Sequence, residues 1–186
     1  MLSVILVNKM IKKGVIRNED KELYMFGIDQ LITIIINISI TLGISILFDN
    51  LLPTLIFLIS YIPLRSFAGG YHAKTERRCF IYSIILIIFL QFYYDYFFFN
   101  RKYFNFAIMI VFALFIHAYA PIQSRYNLLS GNEKKYCKRV TDQILLLGIL
   151  CFCMGKVFNC QFVVMGITST FYAEVFLLLL GKISLK

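Results

Sequence analysis

Six apolar stretches, at about residues 28–48, 51–64, 80–99, 103–122, 143–158 and 161–181, fill most of this chain, and short polar breaks separate them. A helix needs about 20 apolar residues, at about 1.5 Å rise each, to cross a bilayer. Within hydrocarbon every backbone N–H and C=O must find a partner inside the protein, which a helix achieves by itself. The chain therefore reads as all-α: a polytopic integral membrane protein of about six hydrophobic helices. The first, third, fourth and sixth stretches are long enough to cross unaided. The second and fifth are short. The fifth needs a thinned bilayer or a few flanking residues, and segment 51–64 either spans or is re-entrant.

Composition closes off the soluble classes. Of the 186 residues 60% are hydrophobic and 16% charged, with mean hydropathy +0.77, which no ordinary soluble domain carries. A net charge of +9 invites a nucleic-acid reading, but that needs one continuous basic soluble face. Here the basic residues stand in clusters between apolar runs, so nucleic acid is excluded as a partner and membrane lipids are expected. Of 19 Lys and Arg, five fall in residues 1–27, four in 65–79, five in 123–142 and two in the tail, leaving Arg101, Lys102 and Lys156. If the stretches alternate across the bilayer, the large groups share one side. Retained positive charge marks the cytoplasmic face, so both termini and the 65–79 loop are expected there, in a bacterial cell membrane.

The first 27 residues add an expected interfacial helix, with Asn8, Lys9, Lys12 and Lys13 on one side and Val4, Val7, Met10, Ile11 and Val15 on the other. A plain leader before the first span is the competing reading. The apolar part precedes the lysines and no small-residue site follows, so a cleaved signal is not expected. RNEDKE (17–22) reads as a solvated turn. One membrane domain is expected to account for residues 1–186.

Few residues offer chemistry. Cys79, Cys137, Cys151, Cys153 and Cys160 form no CxxC pair, so neither a disulfide framework nor a zinc site is expected, and no cofactor is implied. His117, Asp29, Asp95 and Glu174 lie in or beside apolar stretches. Intramembrane ionisable groups are functional candidates by default, and Glu174 is the deepest. It suits an ion path or a pairing with a neighbouring span, but no series of acids and bases at helical spacing supports a relay.

His72 and Cys79 stand apart, in RSFAGGYHAKTERRC (65–79). With Thr75 as N-cap, Cys79 falls in the first turn or so of the third apolar helix, where the macrodipole favours an anion. Lys74, Arg77 and Arg78 add positive charge, and both influences raise the thiolate fraction. On one continuous helix, residues seven apart are about 10.5 Å apart along the axis, too far for proton transfer. A dyad therefore requires the chain to bend, which Gly69-Gly70 allows. The alternative is a basic, glycine-hinged loop with an incidental thiol.

The pattern Arg65-x3-Gly69-Gly70-Tyr71-His72-Ala73-x5-Cys79 resembles the signature of the AgrB family, the accessory gene regulator B membrane peptidases of Gram-positive bacteria. Chain length, the basic N-terminus, the six stretches and the later Ala120-Pro121 element agree with it along nearly the whole chain. The resemblance implies a cysteine endopeptidase that cuts an AgrD-like propeptide on the C-terminal side of its signal segment. It makes His72 the catalytic histidine and Cys79 the nucleophile. Arg65 and Gly70 match positions the family also needs, and a homodimer is implied. Lys74, Arg77, Arg78 and KKYCKR (134–139) then either steer the acidic tail of the precursor or serve orientation alone. A small transporter or peptide-export protein relying on Glu174 is the non-enzymatic alternative.

Overall fold

The computed structural model describes residues 2–70, 76–96, 102–122 and 130–184. Among these, seven α-helices follow one another: α1 (Leu2–Lys12), α2 (Lys21–Leu47), α3 (Leu51–Ala68), α4 (Glu76–Tyr96), α5 (Lys102–Tyr119), α6 (Gly131–Val157) and α7 (Gln161–Ser184). The fold is all-α, with six hydrophobic helices behind an N-terminal one, and several are long enough to identify a membrane protein. Asn18–Leu47, Leu51–Ala68, Gly131–Val157 and Gln161–Lys182 are each apolar and long enough to cross.

Two span lengths differ from expectation. The stretch at 51–64 and the one at 143–158 belong to helices of 18 and 27 residues. An apolar run stops at the first charge, but the hydrogen-bond ladder does not. The second stretch continues through Arg65 to Ala68, because a basic side chain suits the last turn of a helix. The fifth begins earlier, at a capping box. Ser130 Oγ accepts from the Glu133 N–H at 3.4 Å, and Glu133 Oε2 accepts from the Ser130 N–H at 2.8 Å. Conversely, the apolar parts of α4 and α5 are the shorter ones among the described residues, at Phe80–Asp95 and Phe106–Tyr119.

The chain divides into two compact units, residues 1–41 and 42–186. In the first, α1 buries Ser3 and Val7 while Lys9, Lys12 and Lys13 are exposed, so it is amphipathic. Its covered stripe is narrower than expected, since Val4 is exposed and Val15, also exposed, lies beyond the helix. Asn18–Asp20 forms an exposed 3-10 turn. Along α2, Leu23, Phe26, Leu31, Ile34 and Ile35 present an apolar surface.

The second unit is built around α7, two-thirds of whose span is buried. Helices α3 and α7 run parallel, and their contacts step along both. Gly166 lies against Pro53 and Ile56, Thr170 against Ser60, Glu174 against Arg65, and the Leu177 carbonyl against Gly70. Helix α6 returns beside α7, with Gly155 against Val163 and Val164 and Gly148 against Phe171. In lipid no hydrophobic drive brings helices together, so small residues and interhelical hydrogen bonds do that work. The interior shows both. Ser60 and Thr170 hydroxyls lie 2.6 Å apart, Tyr94 and Ser169 hydroxyls 2.8 Å, and Gln91 Nε2 donates to Thr54 Oγ1 at 3.1 Å. Phe57, Leu64, Met109, Ile116, Phe152, Phe171 and Leu178 fill the rest.

Alternation of these helices gathers the ends of α3, α5 and α7 with the beginning of α6 at one end of the unit. Lys182 Nζ lies 4.1 Å above the Tyr119 ring, and Phe67 meets Tyr136 edge to face. At the other end Asn50 Nδ2 donates to Asp95 Oδ1 at 3.0 Å, beside a cleft of about 520 Å³ that Asn159 and Gln161 also line.

Candidate functional site

The last turn of α3 fixes how the chain enters the His72 segment. The Gly69 N–H donates to the Arg65 carbonyl at 3.2 Å, closing the helix, and Arg65 Nη1 donates to the Gly69 carbonyl. Gly69 has φ 72° and Gly70 φ 121°, both in the region that side chains disfavour. Crowding demands glycine as well. A Cβ on Gly69 would clash with the backbone carbonyl oxygen of Ile122, which cannot step aside, whereas one on Gly70 would meet the movable end of Arg65 and stand 3.3 Å from the Leu177 carbonyl.

Two distant segments hold this turn. After α5, across the cis Ala120-Pro121 bond, the Ile122 N–H donates to the Ala68 carbonyl at 3.0 Å, which forms a parallel bridge between Gly69 and Ile122. From α7, Glu174 Oε1 approaches Arg65 Nη1 at 3.9 Å. Glu174 is 0% exposed, and neither carboxylate oxygen has a hydrogen-bond partner among the described residues. Arg65 keeps 18% of its side chain exposed, so the pair spans the boundary between bundle interior and surface.

The structure thus brings together Arg65, Gly69 and Gly70, and adds Glu174 and Ile122 to them. His72, Lys74 and the expected N-cap Thr75 lie outside the described residues. Of Arg77, Arg78 and Cys79 the helical backbone is described. Helix α4 is described from Glu76 onward and includes Cys79. Glu174 was legible as a lone acid in an apolar stretch, but nothing in its local pattern named Arg65 as its neighbour. Ala120-Pro121 was legible as a motif, and its place beside the glycine turn was not.

Other candidates resolve into local pairs. His117 Nδ1 lies 2.7 Å from Asp142 Oδ1, and Lys138 Nζ lies 3.4 Å from the same oxygen and donates to the His117 carbonyl. A shallow groove of about 440 Å³ beside them is lined by Lys135, Lys138 and Arg139. Cys137, Cys151, Cys153 and Cys160 are unbridged. Among the described residues no three His, Cys, Asp or Glu side chains gather as metal ligands would.

Comparison with known proteins bears on this arrangement. A family model described as AgrB, Accessory gene regulator B, matches residues 3–178. A putative AgrB-like protein of Clostridium perfringens (strain SM101 / Type A) is 30% identical over 124 residues, 63% of this chain and 58% of the relative. An accessory gene regulator protein B of Staphylococcus aureus (strain bovine RF122 / ET3-1) is 28% identical over 141 residues, 76% of this chain and 75% of the relative. A putative AgrB-like protein of Lactiplantibacillus plantarum (strain ATCC BAA-793 / NCIMB 8826 / WCFS1) is 25% identical over 113 residues, 61% of this chain and 56% of the relative. The chain therefore spans somewhat over half the length of the Clostridium and Lactiplantibacillus relatives. No solved structure matches.

Proposed function

The chain belongs to the accessory gene regulator B family, and from that premise we propose that it is a membrane cysteine endopeptidase that processes an AgrD-like propeptide. What supports this reading is the His–Cys motif of the sequence together with the described turn that leads into it. Its described part leaves α3 through a glycine turn held by α5 and α7, and Cys79 belongs to α4. Backbone N–H groups at a helix start, together with the positive charge of Arg77 and Arg78, favour a thiolate there.

In the proposed reaction His72 takes the Cys79 proton and the thiolate attacks the scissile carbonyl. The peptide bond breaks, the departing C-terminal fragment takes the proton from His72, and a thioester remains on Cys79. A cysteine thiol within the bound peptide then gives its proton to His72, attacks that thioester and closes a thiolactone, while Cys79 leaves as a thiolate. One thioester is exchanged for another, so water must be kept out and the peptide held bent. N–H groups of the Gly69-Gly70 turn, or of the first turn of α4, are the proposed donors to the oxyanion.

The large basic groups support the placement. In the second unit Arg65, the 134–139 cluster and Lys182 share one end, whereas Lys156 packs on Phe152 toward the other. By the positive-inside rule that end is the cytoplasmic one, where thiols stay reduced. Lys74, Arg77, Arg78 and the groove at Lys135, Lys138 and Arg139 would meet an acidic precursor tail. Helix α1 would lie in the membrane interface, and a homodimer and a single membrane domain complete the proposal.

The test is co-expression with a cognate precursor, following peptide mass. Cys79→Ser and His72→Ala should each leave the precursor uncut, and normal cleavage in both would remove the dyad. A transporter would leave precursor length unchanged throughout and depend on Glu174.

A further inference from the structure

We infer that Glu174 is a positioning residue for the peptidase loop: from α7 it holds Arg65 in the orientation that clamps the Gly69 carbonyl, and so directs the chain leaving Gly70 toward His72. This deepens the proposed function and rests on His72 and Cys79 being the dyad.

Three observations meet at one point. Glu174 is fully buried in an apolar helix with both oxygens unbonded among the described residues, and Arg65 Nη1 stands 3.9 Å from one of them. A carboxylate removed from water is costly unless a cation offsets it. An apolar side chain would fill the same volume without that cost, and the one cationic group beside Glu174 among the described residues is Arg65. The same Nη1 atom donates to the Gly69 carbonyl, the last backbone group before Gly70. Gly70 in turn leaves room for the guanidinium, since a Cβ there would clash with Nη1 in its present position and crowd the Leu177 carbonyl. Glu174 and Leu177, one turn apart on α7, therefore face the glycine turn together. Carboxylate, guanidinium and the missing side chain form a single device. Removing any one of them releases the exit direction of the chain, two residues before His72.

The device works at a distance from the reacting atoms, so its signature is a change in chemistry without a matching change in binding or stability. Full-length protein in detergent, with Cys137, Cys151, Cys153 and Cys160 replaced by Ser, leaves Cys79 as the one thiol. On this background precursor cleavage is measured as kcat and KM, alongside the pH profile of Cys79 alkylation by iodoacetamide and thermal melting. Glu174→Gln and Arg65→Gln should each lower kcat about tenfold or more with KM within about threefold. The double variant should be no worse than the poorer single one, as expected for residues acting as a unit. Glu174→Asp should recover part of the activity. In Glu174→Gln the alkylation midpoint should move up toward the ordinary thiol value of about 8.5, because the imidazole is no longer held to the thiol.

A lower melting temperature with unchanged kcat per folded molecule and an unchanged alkylation midpoint would mean that Glu174 is structural only, which overturns the inference. Additive losses in the double variant would overturn it equally. The underlying dyad is checked apart: if Cys79→Ser and His72→Ala cleave normally, that reading fails and takes the positioning role with it. If they are dead while Glu174→Gln is fully active, only the positioning role falls.

Discussion

A single methyl group added at Gly166 should pry α3 from α7. An alanine Cβ there would stand 2.7 Å from Ile56 Cβ, Ile56 Cγ2 and the Pro53 carbonyl oxygen, where ordinary contact begins at 3.4 Å. The shortfall is roughly 0.7 Å, and neither a carbonyl nor a β-branched carbon next to the backbone can rotate away from it. Overpacking of this kind costs about 1–3 kcal/mol. At about 2–4 °C per kcal/mol for a chain of this size, Gly166→Ala should melt roughly 2–12 °C below the parent. Gly43→Ala is the control, because its Cβ meets nothing within 4 Å, and a helical Gly→Ala change in open space gains up to about 1 kcal/mol. Gly155→Ala and Gly148→Ala should fall between. Their nearest obstacles, Val164 Cγ2 at 3.0 Å and the Phe171 ring at 3.1 Å, stand farther off than those at Gly166. Melting of the purified protein in detergent, followed by circular dichroism, reads the whole series. A Gly166→Ala protein as stable as Gly43→Ala would refute the parallel α3–α7 packing, and with it the registration of Arg65 on Glu174.

Two further perturbations test the helices around the site. Ser130→Ala removes the capping box of α6 and should cost about 1 kcal/mol of stability in the same melting assay, with little change in peptide cleavage. Ser60→Ala and Thr170→Val, singly and together, should show a coupling of about 0.6 kcal/mol in a double-mutant cycle, the usual size for an interhelical hydrogen bond in a membrane protein; zero coupling would count against the 2.6 Å contact.

Helix number and order were legible because apolar runs and charge clusters are long-range features of composition, and backbone satisfaction in lipid leaves little choice of structure. Helix lengths were less so. Arg65 and the Ser130–Glu133 capping box extend α3 and α6 past their apolar cores, and a hydropathy boundary cannot see a helix that continues through charge. Packing faces were hidden for a different reason. Lipid is as apolar as a core, so the exposed Ile34 and the buried Ile116 look alike in sequence. The site was half legible. Arg65, the glycine pair, His72 and Cys79 stand in one motif, and a family resemblance could find them. Glu174 and Ile122 join it only through tertiary contact, and Glu174 stood out merely as an acid where acids are rare.

The parallel pairing of α3 with α7 also has a bearing on synthesis. The ribosome delivers His72 and Cys79 to the membrane well before α7 exists, and the hydroxyl pair that registers the two helices joins residues 110 apart in sequence. Until α7 inserts, Arg65 has no Glu174 and the glycine turn lacks one of its two supports. A nascent chain would therefore pass Arg65 and the glycine turn through the insertion machinery before that support exists. Completion of this turn becomes a late event, timed by the arrival of α7 rather than by translation of the motif itself.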